Sequence, residues 1–151
     1  MCNSAVHLKE LLPQMEAAFA QGESIRIIPQ GTSMLPMVRP GIDSVTLSPV
    51  PEKLRKYDLP LYRRKGGQFV LHRIVKVGQT YTCIGDNQLG VERGLRHDQM
   101  LALVTAFRRG EKEIPVTALS YRIYCRVWHW SRPLRRVWRS VRWRIRRIYE
   151  R

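Results

Sequence analysis

Leu59-Pro60-Leu61-Tyr62-Arg63-Arg64-Lys65-Gly66-Gly67-Gln68-Phe69-Val70-Leu71-His72-Arg73-Ile74-Val75-Lys76-Val77 consists of two β-rich runs around a pair of glycines. Adjacent glycines accept the positive φ that tight hairpins need, so Lys65-Gly66-Gly67-Gln68 reads as the turn joining Leu59–Arg64 to Phe69–Val77. That reading places His72 in mid-strand. Outward from the hairpin, Ile25–Ile28, Ser44–Leu47, Tyr81–Ile84 and Met100–Phe107 are further short β-rich runs separated by Pro and Gly. Together they predict a mainly β domain over residues 23–115.

Helical periodicity flanks this domain on both sides. Val6, Leu8, Leu11, Leu12, Met15, Ala18 and Phe19 recur at three- and four-residue steps, predicting an amphipathic helix over Ala5–Ala20 within residues 1–22. Asn3 or Ser4 is positioned to cap it, Gly22 to end it, and Pro13 to start or kink it. Residues 116–151 read as a basic, aromatic helical tail: Leu134, Val137, Trp138, Val141, Ile145 and Ile148 keep a helical period, with Arg135, Arg136, Arg139, Arg142 and Arg146 on other faces. Ser131 and Pro133 suit its first turn.

A chain of 151 residues has room for one domain with a real core, and 44% hydrophobic with 26% charged residues excludes wholesale disorder. The net charge of +15 points to an anionic partner, and most of it is local. From residue 117 onward eleven arginines face the single acid Glu150. Cys2, Cys83 and Cys125 are odd in number and scattered, which fits reduced thiols rather than a disulfide framework or a zinc site. The first 30 residues, with Lys9, Glu10, Glu16 and Glu23, lack the apolar run of a signal peptide, and no stretch approaches the roughly 18 apolar residues of a membrane span. The expected location is therefore cytoplasmic or peripheral to a membrane.

Three segments carry candidate chemistry. Gly31-Thr32-Ser33-Met34-Leu35-Pro36 presents a serine in a turn after a strand, where a nucleophile is exposed and backbone N–H groups are available to an oxyanion. Val70-Leu71-His72-Arg73-Ile74 carries a histidine, whose ordinary pKa near 6.5 suits it to take a serine proton. Ile84-Gly85-Asp86-Asn87 puts an acid in a turn directly after a strand. Taken singly, each is better explained as an ordinary turn residue or a satisfied core or surface histidine.

In this order and spacing the segments resemble the type I signal peptidase family, in the wider group that includes the LexA-like self-cleaving repressors. Ser33-Met34-Leu35-Pro36 is similar to the family's nucleophile box. Tyr57-Asp58-Leu59-Pro60 is similar to its Gly-Asp-hydrophobic strand, with Tyr57 in place of the usual glycine. Leu71-His72-Arg73-Ile74 is similar to the general-base strand, and Gly85-Asp86-Asn87 to the Gly-Asp-Asn box. A histidine rather than a lysine at the base position resembles the archaeal and endoplasmic-reticulum-type branch. The resemblance spans residues 25 to about 107 and implies a compact, coiled antiparallel β-sheet domain of the signal peptidase/LexA C-terminal type.

It further implies a serine endopeptidase that processes a peptide or precursor protein, with Ser33 as nucleophile and His72 as general base. No metal or cofactor is implied. Ser33 N–H would serve the oxyanion, with Thr32 or another nearby donor beside it and Thr32 and Met34 as the oxyanion and support residues. The carboxylate that orients His72 stays open between Asp86 and Glu92. Family members are held in membranes by apolar helices, and here the expected substitute is the tail. Trp130, Arg135, Trp138, Arg139, Arg142 and Arg146 are the expected contacts to an anionic membrane surface, with nucleic acid a less favoured partner. The alternative reading is a catalytically idle β domain that binds membrane or nucleic acid through this tail.

Overall fold

A computed structural model describes the backbone of residues 4–138 and the side chains of residues 10–138. The protein is mainly β, with two antiparallel sheets and helices at both ends of the described chain. Helix α1 (Ser4–Ala20) runs through Pro13 rather than starting there. Gly22, at φ +76°, ends it by donating to Phe19 O, while Glu23 N bonds Ala18 O.

The strands are β1 (Ile25–Ile27), β2 (Ser44–Ser48), β3 (Pro60–Arg63), β4 (Phe69–Leu71), β5 (Arg73–Val77), β6 (Tyr81–Ile84), β7 (Glu92–Leu95), β8 (Met100–Arg109) and β9 (Lys112–Pro115). The larger sheet has the order β1-β2-β8-β3-β4, with β9 also on β8; the smaller is β5-β6-β7. Ten-residue β8 is the spine of the first sheet, and its side chains alternate between buried and half-buried along most of its length.

The Lys65–Gln68 hairpin forms as the paired glycines predict. Arg63 pairs with Phe69, Arg64 N donates to Gln68 O, and Gly67 takes φ +82°. His72, however, is not in mid-strand. It falls between β4, which pairs with β3 in the large sheet, and β5, which pairs with β6 in the small one. Phe69–Val77 reads as one strand because both halves are equally β-prone, and only the change of pairing partner divides it.

The residue-57 position has its own explanation. Tyr57 adopts φ +79°, a left-handed conformation that glycine accepts without cost and that costs a tyrosine on the order of 1 kcal/mol. Around it, Tyr57 N bonds Ile74 O at 2.8 Å, and its ring meets His129 edge-on at 5.7 Å.

The end segments share the core of the β domain instead of standing apart. Met15 from α1 and Tyr121 and Cys125 from α2 (Leu119–Trp130) are buried with Val45, Leu61 and Phe107. Helix therefore starts at Leu119, well before the expected Ser131. Helical bonding then continues through Ser131 N to Val127 O and Arg135 N to Ser131 O, as far as residue 138. A second cluster, Tyr62, Ile74, Tyr81, Cys83, Leu95 and Met100, joins the two sheets.

Candidate active site

Ser33 lies half-buried in a short 3₁₀ helix, Thr32–Met34, that follows β1. Met34 pins this turn by burying its side chain in the main core. Thr32 is exposed, and its carbonyl is held from outside the turn by Asn87 Nδ2 at 3.2 Å. Asn87 N also donates to Ser33 O at 2.8 Å. The Gly85-Asp86-Asn87 turn after β6 thus braces the serine turn through backbone carbonyls.

Gly85 marks how closely the parts meet. A Cβ on Gly85 would stand 2.7 Å from Ser33 O, 3.0 Å from His72 Nε2 and 3.1 Å from Ser33 Cβ. The Nε2 edge of the imidazole and the serine side chain therefore border one point, which only a residue without a side chain leaves open. Gly85→Ala should push Ser33 and His72 apart and, because displacements near 1 Å cost about 10²-fold in rate, lower turnover by about that factor. Melting and turnover measured together would check this; full activity in the alanine variant would show that the two groups do not work across Gly85.

Behind the ring, His72 Nδ1 lies 3.1 Å from Glu92 Oε1 and 3.1 Å from Tyr62 Oη. Tyr62 comes from β3 in the large sheet and Glu92 from β7 in the small one. His72 stands at the crossing between the sheets, which is why groups from both reach it. Arg64 holds Glu92 from the far side through two N–H groups, Nε at 2.8 Å to Oε2 and the second to Oε1.

Burial gives the site its electrostatics. With 2% of its surface exposed, His72 is held below the ordinary imidazole pKa chiefly by desolvation, with Glu92 acting in the opposite direction. The ring is therefore neutral at neutral pH. Glu92 is held below the usual carboxylate range first by the Arg64 hydrogen bond, with Tyr62 adding a second donor. Tyr62 is raised well above the phenol range, first by burial and then by Glu92, so it remains a hydroxyl. With Tyr62 Oη and an ionised Glu92 both 3.1 Å from Nδ1, a proton on Nδ1 has acceptors there, and that tautomer leaves the lone pair on Nε2, toward Ser33.

Asp86 does not contact the ring in this way. Its carboxylate takes a two-point ion pair from Arg73, Nε at 2.8 Å and Nη2 at 2.7 Å, and a hydrogen bond from Tyr124 Oη at 2.9 Å. Its backbone carbonyl accepts from Trp128 Nε1 at 2.8 Å and from Arg135 at 3.0 Å. Arg73, next to His72, also donates to Tyr121 Oη and Cys125 Sγ. Asp86 is thus the knot between the serine turn and α2.

No family model, curated protein or solved structure matches the chain.

Among the expected surface contacts, Trp130 and Trp138 are exposed, but Arg135 is turned inward, its guanidinium 3.7 Å over the Trp128 ring. Arg139, Arg142 and Arg146 lie outside the described residues. Sequence reasoning missed Tyr62, Arg64 and Arg73 as parts of this arrangement. For Arg73 a signal was present: an arginine inside an apolar strand has to find a partner if that strand is buried. No helix among the described residues is long and apolar enough to cross a membrane.

Proposed function

We propose that this protein is a serine endopeptidase of the signal peptidase-like, Ser-His kind, acting on a peptide or a precursor protein, and that its β domain has that family's fold. The observation that carries the reading is His72 at the sheet crossing, with Nδ1 against Glu92 and Nε2 against the serine turn at Gly85. In this reading Ser33 attacks the scissile carbonyl while His72 Nε2 takes its proton, and the imidazolium formed is stabilised by Glu92. The leaving amine takes that proton, and water then hydrolyses the acyl-enzyme with His72 again as base. Glu92, and not Asp86, is the orienting carboxylate; Asp86 positions the turn.

Ser33 N–H is the second in the short 3₁₀ helix, whose leading N–H groups have no acceptor within it, and is the proposed oxyanion donor. The test is digestion of a mixed peptide library by the purified chain, read by mass spectrometry. Cleavage at recurring positions is expected from the unaltered protein and none from Ser33→Ala. Cleavage that survives Ser33→Ala would refute the mechanism, and a folded wild-type chain that cuts nothing would favour the idle binding domain instead.

A further inference from the structure

The helical tail has two faces, and only one is used by the fold. Tyr121, Cys125 and Trp128 point into the domain, together with Tyr124 on the Asp86 carboxylate. At about 100° per residue the opposite side is apolar as well. From Leu119 it continues through Ile123, Val127, Trp130, Leu134 and Val137 to Trp138, all exposed, with Trp130 at 72% and Leu134 at 74%. The steps of four, four, three, four, three and one residues keep them within an arc of about 100°. Arg122 and Arg126, both exposed and one turn apart, border that arc.

Apolar residues exposed singly are ordinary, but a continuous stripe along five turns is not. We propose that this outward face is a docking surface for an anionic lipid bilayer, in which the helix lies in the headgroup plane. Charge complementarity selects the occupant. Eleven arginines against one acid from residue 117 onward match an anionic surface. A second copy of a chain carrying +15 would be repelled along the same face. Nucleic acid has no use for Leu, Ile and Val side chains at phosphate contacts. Aliphatics and tryptophans entering the acyl boundary, with arginines beside them at the headgroups, use every residue type present.

The inner face of the same helix grips Asp86, so a docked bilayer lies about one helix diameter, some 10 Å, from the serine turn. The proposal depends on the outward face alone and stands or falls separately from the chemistry at Ser33.

The experiment is flotation of the full chain with vesicles of phosphatidylcholine, alone or mixed with phosphatidylglycerol. A triple variant, Val127→Ser, Trp130→Ser and Leu134→Ser, removes apolar contact without changing charge. Expected are binding to the mixed vesicles and not to pure phosphatidylcholine, a blue shift of tryptophan emission on binding, and partitioning about tenfold weaker or less for the triple variant. Should that variant melt early, quenching of tryptophan by brominated lipid in the unaltered chain carries the same test. Absence of binding to anionic vesicles overturns the proposal. So does undiminished binding of a folded triple variant, which would reduce the attraction to charge alone. A dimer in ultracentrifugation that the triple variant disperses, without vesicle binding, would assign the stripe to a second copy instead.

Discussion

Glu92→Gln is expected to lower peptide turnover by about 10⁴-fold, the loss that follows when an amide replaces the carboxylate behind a catalytic histidine. The fold should lose little, because Glu92 is part exposed on β7 and glutamine keeps its shape beside a part-buried Arg64. The loss has two sources. A carboxylate accepts Nδ1–H and keeps the Nε2 lone pair toward Ser33, whereas a glutamine amide group can donate to Nδ1 and reverse the tautomer. Gln also removes the negative charge that stabilises the imidazolium as Ser33 attacks.

The same change has a sign in pH. Burial holds His72 below the usual value of about 6.5, and the Glu92 charge partly offsets that. Wild-type activity should therefore be constant through neutral pH and fall only when acid protonates the base, with a midpoint below about 6.5. Without the carboxylate that midpoint should move lower still, while the plateau drops. Rate profiles of both proteins between mild acid and neutrality would decide it. A Gln variant with a full plateau, or with its midpoint unmoved, would remove Glu92 from the role, whereas a wild-type midpoint above the ordinary imidazole value would show that burial does not dominate at His72.

Asp86→Asn should instead act on stability, costing about 3–5 kcal/mol, because it leaves the Arg73 guanidinium buried without its counter-charge. Both side chains are nearly inaccessible, at 3% and 2% exposure, so water cannot replace the lost partner. For a chain of this length the change corresponds to a fall in melting temperature on the order of 10 °C. Arg73→Met alone should cost a comparable amount. Combining it with Asp86→Leu should recover much of the loss, since an apolar pair leaves no charge stranded. Urea unfolding of wild type, Arg73→Met, Asp86→Leu and the double variant measures the cycle, with Asp86→Asn unfolded beside them. If Asp86→Asn unfolds within about 1 kcal/mol of wild type, the pair is not the knot that the geometry makes it. The consequence would reach the serine as well, because the adjacent Asn87 holds the carbonyls of Thr32 and Ser33.

Local chemistry determined much of this protein in advance. Paired glycines at 66 and 67 dictate the hairpin, the β-rich run Met100–Phe107 dictates most of β8, and three- and four-residue steps dictate α1, since each signal acts within one element. Ser33, His72 and Gly85 were visible as motif residues, and at Gly85 the reason is steric: the turn approaches Ser33 and His72 too closely for any Cβ. Strand β7 was not visible, because Glu92-Arg93-Gly94-Leu95 is charged, has low β propensity and turns to φ +72° at Gly94; pairing with β6 alone makes it a strand. That pairing carries Glu92 to the back of His72, so the choice between two carboxylates could be read only from tertiary structure. Asp86 is adjacent to the motif glycine in sequence, yet Arg73 and the aromatic face of α2 claim it. Tail periodicity gave a helix with an apolar side, but could not say that a second side is spent on the core. Which of two amphipathic faces is buried depends on what stands opposite, and that is settled by residues distant in sequence: Asp86, Arg73 and the large sheet.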